Sequence, residues 1–196
     1  FKQAPIFAES GDKNDPENAA QYWYYDSNET PLYLKQDTSE GGGYYLDSFK
    51  GTVYRQTQFA EYEMLTNKMY EDGESLTADN LSSVYLELNK KYYGSDIISD
   101  EQIAYEWARI PHFYYNFYVY QYATSYCAAF SVAHKILEEG TPAVERYKKF
   151  LSGGCSMAPV ELLKIAGVNL ETPAPIQDAL NAFGEIIKEM ETLVED

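Results

Sequence analysis

This sequence predicts an all-α fold, a multi-helix bundle with short connections, and two observations carry that prediction. From Tyr44 onward apolar residues recur at spacings of three and four, which gathers them on one side of a helix. Glycine and proline then cut the chain where helices would stop and restart: Asp72-Gly73, Gly94, Pro111, Gly140, Gly153-Gly154, Gly167 and Thr172-Pro173.

Taken in order, residues 1–43 stand apart as an acidic segment ending in Gly41-Gly42-Gly43, and residues 44–196 form the helical domain. Within the first segment Tyr22-Trp23-Tyr24-Tyr25 and Leu32-Tyr33-Leu34 read either as two short extended pieces or, for the former, as a helix from Asn18. A helix is expected from Tyr44 to about Tyr70, with Leu46, Phe49, Val53, Phe59, Tyr62 and Leu65 inward. Thr77 should cap a second helix over Ala78 to Tyr93, with Leu81, Tyr85 and Leu88 facing the core and Gly94 ending it. Ser99-Asp100-Glu101-Gln102 reads as a capping box opening a helix at Asp100, which should stop near Ile110 because Pro111 disfavours helical geometry in its predecessor. The next helix is expected to run unbroken through the aromatic stretch to Glu139. Thr141-Pro142 supplies a cap and a first-turn proline for a short helix to about Leu151. Pro159 then opens Val160 to Ala166, with Ala158 at the cap, and a last helix covers Ile176 to about Leu193.

Composition excludes several classes. A net charge of -16 argues against nucleic acid as a partner. No run approaches the roughly 20 apolar residues of a membrane span, and the N-terminal apolar stretch is too broken for a signal peptide. Mean hydropathy of -0.47 describes a soluble chain. The two cysteines, Cys127 and Cys155, lack ligand spacing and read as a buried pair of thiols in a cytoplasmic protein, with a disulfide as the alternative.

The densest chemistry lies between Arg109 and Tyr126. As one helix, this stretch would place His112, Tyr115, Val119, Tyr122 and Tyr126 on one face. Phe113, Phe117, Tyr120, Thr124 and Cys127 would form a second, and Tyr114, Tyr118, Gln121 and Ser125 a third. Such a helix must be central to the core or line a groove. A core built for packing alone would use phenylalanine; six phenols in thirteen positions call for hydrogen-bond partners. His112 is either an ordinary satisfied histidine or, with the neighbouring hydroxyls, a donor to a ligand carbonyl or developing oxyanion. Arg109 should pair with a carboxylate from the Glu61/Glu63 or Glu101/Glu106 neighbourhoods. On the first helix Arg55, Gln58 and Tyr62 share one face and Phe59 and Glu63 another, which suggests a buried polar network. His134 and Glu138 read as a surface pair. His-Glu-x-x-His is absent, as are a phosphate-binding glycine motif and a nucleophile elbow.

Two stretches carry a family resemblance. Tyr54-Arg55-Gln56-Thr57-Gln58-Phe59-Ala60-Glu61-Tyr62-Glu63 and, more specifically, Trp107-Ala108-Arg109-Ile110-Pro111-His112-Phe113-Tyr114-Tyr115-Asn116-Phe117-Tyr118-Val119-Tyr120-Gln121-Tyr122-Ala123-Thr124 resemble the C-terminal part of the oligoendopeptidase F branch of the thimet-oligopeptidase-like zinc metallopeptidases. Phe150-Leu151-Ser152-Gly153-Gly154 and Pro159-Val160-Glu161-Leu162-Leu163-Lys164-Ile165-Ala166-Gly167-Val168 follow in the same order, so the resemblance covers about residues 44–196. It implies the C-terminal part of a zincin-type fold, cleavage of short peptides in a channel between helical halves, and zinc held by His-Glu-x-x-His and a later glutamate. It further implies that His112 and the phenols of Tyr115, Tyr118, Tyr120 and Tyr122 bind the peptide backbone and stabilise the tetrahedral intermediate, without singling out the oxyanion tyrosine.

The departure is as informative. The zinc ligands of such an enzyme should lie upstream of Tyr44, and residues 1–43 contain no histidine. No cofactor is expected in this chain alone, zinc being that of the full-length family enzyme. Three readings follow: a peptidase fragment inactive by itself, a non-catalytic helical peptide- or protein-binding module, or one half of a site whose missing catalytic part comes from elsewhere.

Overall fold

The computed structural model describes residues 46–194, with side chains to residue 191. The expected elements in residues 1–43, and Tyr44 itself, lie outside the described residues. Among those described, all regular structure is helical. The elements are α1 (Arg55–Glu71), α2 (Ala78–Tyr93), α3 (Tyr120–Glu139), α4 (Thr141–Ser152), α5 (Pro159–Ile165) and α6 (Ala174–Val194). A π-helical turn, Lys50–Tyr54, precedes α1, and two 3-10 helices, Glu101–Arg109 and Pro111–Tyr114, connect α2 to α3.

The chain divides into two compact units, Thr52–Ala179 and a smaller one to which residues 46–51 and the chain from Leu180 onward belong. In the smaller unit Phe49 is fully buried and stacks on Phe183 with ring centroids 4.3 Å apart, and Ile186 is buried. In the larger unit α1 packs against α2 and α3, α2 against the longer 3-10 helix, and α4 against α3 and α5. Phe59 and Tyr62 from α1, Tyr85 and Leu88 from α2, Ile110 and Val119 form one core. Ala128 and Val132 of α3 form a second with Ala166 and Val168.

Local signals fix most boundaries. The Thr77 hydroxyl accepts from the Asn80 N–H at 3.2 Å, and Gly94 takes a φ of 75° at the other end of α2. Thr77→Ala should cost about 1 kcal/mol, read as a lower denaturant midpoint with an unchanged slope. Leu81 and Val84 flank the buried Tyr85 and Leu88 and are themselves half-buried against the core. The Gly153-Gly154 loop is set by packing, since a Cβ on Gly153 would overlap the Leu162 side chain.

Several expectations are corrected. The first helix is continuous from residue 46 to Glu71 as expected, but widens to π-helical geometry over Lys50–Tyr54 before α1. Residues 101–109 form a 3-10 helix, capped by Asp100 rather than Ser99; its carboxylate accepts from the Gln102 and Ile103 N–H groups at 3.0 and 2.9 Å. Ser99 instead accepts from the Asn89 amide, at 2.9 Å. Thr141 is the first residue of α4 and caps nothing, Gly140 holding the cap position with a φ of 66°. Ala158 and Pro159 open α5 as expected, whereas α6 starts at Ala174. Cys127 is buried but Cys155, in the turn after α4, is exposed, so the thiols are not a buried pair; both are free.

The largest correction concerns the aromatic stretch. It is not one helix. The 3-10 turn Pro111–Tyr114 gives way to a bend in which Asn116 and Phe117 take φ values of 52° and 60°, and α3 begins only at Tyr120. Nor is the stretch core: Tyr114, Tyr115, Phe117, Tyr118, Tyr120 and Tyr122 are all exposed. The continuous faces drawn for one helix therefore do not form, although His112, Tyr115 and Tyr122 of the first face still come together.

Candidate functional site

The site is built on a scaffold of buried polar groups. Gln58, Phe59, Tyr62 and Glu63 are the buried residues of α1, and Arg55 lies over the Phe59 ring at 4.8 Å. The network expected among them does not form as drawn: of these residues Arg55 alone joins a polar cluster, which centres on Glu106 in the longer 3-10 helix. Its carboxylate accepts from the Tyr85 hydroxyl at 2.6 Å and from the guanidinium of Arg55 at 2.5 Å, and it also pairs with Arg109. The 3-10 geometry brings Arg109 to Glu106, because residues three apart eclipse one another. Arg109 thus takes one of the acidic partners expected for it.

Electrostatics follow this arrangement. Burial pushes the Glu106 carboxyl up, but hydrogen bonds from Tyr85 and Arg55, the charge of Arg55 and a bond from Arg109 outweigh it and hold it below its ordinary value. Burial likewise pulls Arg55 down, and bonding to Tyr93 and Glu106 more than reverses it. The Tyr85 phenol is raised by burial and then by its bond to Glu106. The Trp107 indole donates to Ser82 at 3.1 Å, which ties the same 3-10 helix to α2. In contrast, the buried amide of Gln58 and the hydroxyl of Tyr62 make no hydrogen bond to the described protein.

From this base the chain presents His112. Phe113 packs into the core, 5.0 Å from the Tyr62 ring and 5.7 Å from that of Phe59, and further along the chain Val119 is fully buried. Between these anchors the chain bulges outward. The bulge is held from below by Glu63, whose Oε1 accepts from the Phe117 N–H at 2.6 Å.

Four of the five candidate residues come together. The His112 ring lies 5.9 Å from Tyr115, 6.2 Å from Tyr118 and 5.8 Å from Tyr122, stacked on Tyr118 and edge-on to the others. Tyr118 also meets Tyr115 and Tyr122 edge to face. The Tyr122 hydroxyl stands 3.3 Å from His112 Nε2. Tyr122 is held above its ordinary phenol pKa, first by hydrogen bonding with Tyr118 and then by burial. Tyr120 shares no ring contact with the four among the described residues, and Tyr126 is half-buried one turn further along α3. Tyr118, placed on another face by helical spacing, joins His112 because the chain bends.

What this surface can do is bind and donate. One imidazole and three phenols converge on solvent, offering hydrogen bonds to carbonyl oxygens and ring faces to side chains. Among the described residues no group of three or more His, Cys, Asp or Glu could hold a metal ion, so their donor set does not fit zinc. His134 and Glu138 are the exposed pair expected, at 3.6 Å. Burial pushes the Cys127 thiol up to about 11, away from nucleophilic use. A pocket of roughly 470 Å³, lined by Leu65, Lys68, Met69, Val84, Leu88 and Lys91 among others, contains none of the clustered rings. No described helix is long and apolar enough to cross a membrane.

Two residues of the site lie beyond what sequence patterns assign to it. Glu63 enters only as part of a polar network, and nothing in its spacing points to Phe117. Glu106 enters only as one of several partners for Arg109.

Comparison with known proteins matches this architecture. The chain is 52% identical over 149 residues to oligopeptidase PepF of Bacillus subtilis, covering 76% of this chain and 22% of that protein. Chromosomal oligoendopeptidase F of Lactococcus lactis subsp. cremoris is 44% identical over 152 residues, covering 78% of this chain and 25% of its own length. The crystal structure of oligoendopeptidase-F from Enterococcus faecium superposes with a TM-score of 0.76 at 48% identity, over 78% of this chain and 29% of that one. The chain thus spans about a quarter of the length of the curated relatives it matches. The sequence pattern of peptidase family M3 matches residues 21–182, a range that starts ahead of the boundary drawn at residue 43. On that match and these identities, the chain belongs to peptidase family M3.

Proposed function

We propose that this chain is the substrate-side, C-terminal part of a zinc metallo-oligopeptidase. In this reading it binds short peptides on the His112, Tyr115, Tyr118 and Tyr122 surface and does not hydrolyse them alone. The observation that carries the proposal is the pairing of Tyr122 with His112 inside an exposed ring cluster, in a chain whose relatives are named oligopeptidases. A peptide supplies what such a surface lacks: carbonyl oxygens to accept from the phenols and imidazole, and apolar side chains to cover the rings. Tyr122 is the first candidate among the phenols for the developing oxyanion, because its hydroxyl lies 3.3 Å from His112 Nε2 within the ring cluster. The zinc-bearing part is the partner this reading requires, whether upstream in the same polypeptide or on a second chain. The two free thiols suit a reducing cytoplasm.

Calorimetric titration of the 196-residue chain with peptides of varied length tests the binding. Measurable affinity, lost when Tyr115, Tyr118 and Tyr122 are replaced together by alanine and changed only a few-fold by His112→Ala alone (about threefold or less), is the expected result. Stoichiometric zinc in the purified chain, with chelator-sensitive peptide cleavage, would overturn the view that it is inactive alone.

A further inference from the structure

The bulge between Phe113 and Val119 needs a cause. Asn tolerates left-handed backbone because its short amide can bond locally, but a bulky aromatic residue rarely adopts it. Phe117 nevertheless has a φ of 60°, directly after Asn116 at 52°. These two residues separate His112 and Tyr115 from Tyr118 and Tyr122, so their backbone decides whether the two pairs of rings face each other. Continued helically, the chain would carry Tyr118 away from His112.

What meets this strained pair is a buried carboxylate. Glu63 is 3% exposed, and Oε1 takes the Phe117 N–H at 2.6 Å across 54 residues of sequence. The other acidic groups of the scaffold are paired with cations, Glu106 with Arg55 and Arg109 and Glu61 with Lys91. Among the described residues Glu63 forms no ion pair. A carboxyl group this deeply buried is costly unless its oxygens are hydrogen-bonded, and the Phe117 N–H is the donor that meets it.

We propose that Glu63 is a positioning residue for the peptide-binding surface: by accepting from Phe117 it holds Asn116–Phe117 left-handed and so sets Tyr118 and Tyr122 against His112. The inference rests on the peptide-binding reading above for its purpose, but its geometry can be tested without it.

Four forms of the full chain make the test: wild type, Glu63→Gln, Glu63→Met and Glu63→Met combined with Phe117→Gly. Each is read by ring-to-ring NMR signals among His112, Tyr118 and Tyr122, and by peptide affinity. Glutamine keeps a carbonyl acceptor and should preserve the ring signals, with affinity within about tenfold of wild type. Methionine keeps the volume but not the acceptor. It should abolish the signals to His112 and weaken binding by about ten- to a hundredfold, the worth of one hydrogen bond to a charged group. Glycine at 117 takes a positive φ without strain, so the double variant should recover the ring signals. A folded Glu63→Met with unchanged ring signals would overturn the proposal, as would failure of the Phe117→Gly change to restore them in a folded protein. Should Glu63→Met not fold, amide exchange in the wild type decides: protection at Phe117 beyond that of its exposed neighbours is expected, and rapid exchange there refutes the bond. If Glu63→Met separates the rings but the wild type binds no peptide, the positioning role stands and the peptide reading falls.

Discussion

In a protein that joins this chain to the zinc-bearing part, His112→Ala should lower kcat by about a hundred- to a thousandfold while moving KM little, the pattern of a lost donor that acts on the transition state. The reasoning is geometric. His112 is half-buried, anchored by Ile110 and Phe113 on either side, and faces Tyr122 at 3.3 Å. In the proposed role, a histidine flanked by two core-packed residues is oriented before charge develops on a substrate oxygen, and preorganised donors act mainly on the chemical step. Tyr122→Phe removes the hydroxyl but keeps the ring in place, so it separates donation from packing. If Tyr122 is the oxyanion donor, its loss falls on kcat to a similar degree. If it only orients His112, its effect is smaller than that of His112→Ala. Tyr120→Phe should change neither constant by more than about twofold, as expected for a surface position outside the cluster. Steady-state kinetics on a short peptide, with zinc content verified for each variant, checks all three. A His112→Ala protein with raised KM and unchanged kcat would mean that His112 binds substrate and transition state alike.

The second large effect concerns stability. Glu106→Ala should destabilise the larger unit by about 3 kcal/mol, measured by urea unfolding. The change leaves the fully buried Tyr85 without its acceptor and Arg55 without its carboxylate, which is the expensive way to break a buried pair. Glu106→Gln, which keeps an acceptor, should cost less. A pH dependence accompanies it. The folded-state pKa of Glu106 lies below the ordinary value of 4.5, so the unfolded chain takes up this proton first on acidification. The stabilisation is complete above that value and is lost as pH falls through the lower folded-state pKa. Glu61 behaves alike, its carboxyl lowered first by the hydrogen bond from Lys91. Melting temperatures recorded from about pH 3 to pH 7 should therefore drop on the acid side, and Glu106→Gln should make that drop shallower without abolishing it. An acid limb of equal steepness in the variant would show that Glu106 is not among the groups responsible.

Most helix starts and stops were legible in the amino-acid order, because the signals are local. Thr77 and Gly94 bound α2, Pro111 ends the preceding turn structure, Gly140 ends α3 and Pro159 opens α5, each by a backbone preference that needs no distant partner. The resemblance that pointed to the M3 family also lay in contiguous residues, and the same stretch held His112, Tyr115, Tyr118 and Tyr122. How those residues meet depends on the packed chain. A run aromatic at nearly every position fits a helix at any phase, so periodicity could not reveal the break at Asn116–Phe117. Two left-handed residues there are unfavourable on their own, and they persist beside a carboxylate that the fold brings from Glu63, 54 positions away. Glu106 teaches the same point: its pairing with Arg109 is local, at i and i+3, but Arg55 and Tyr85 reach it only once α1 and α2 have packed. Local preference wrote the helices, and long-range polar contacts set the ring cluster that the chain turns toward solvent.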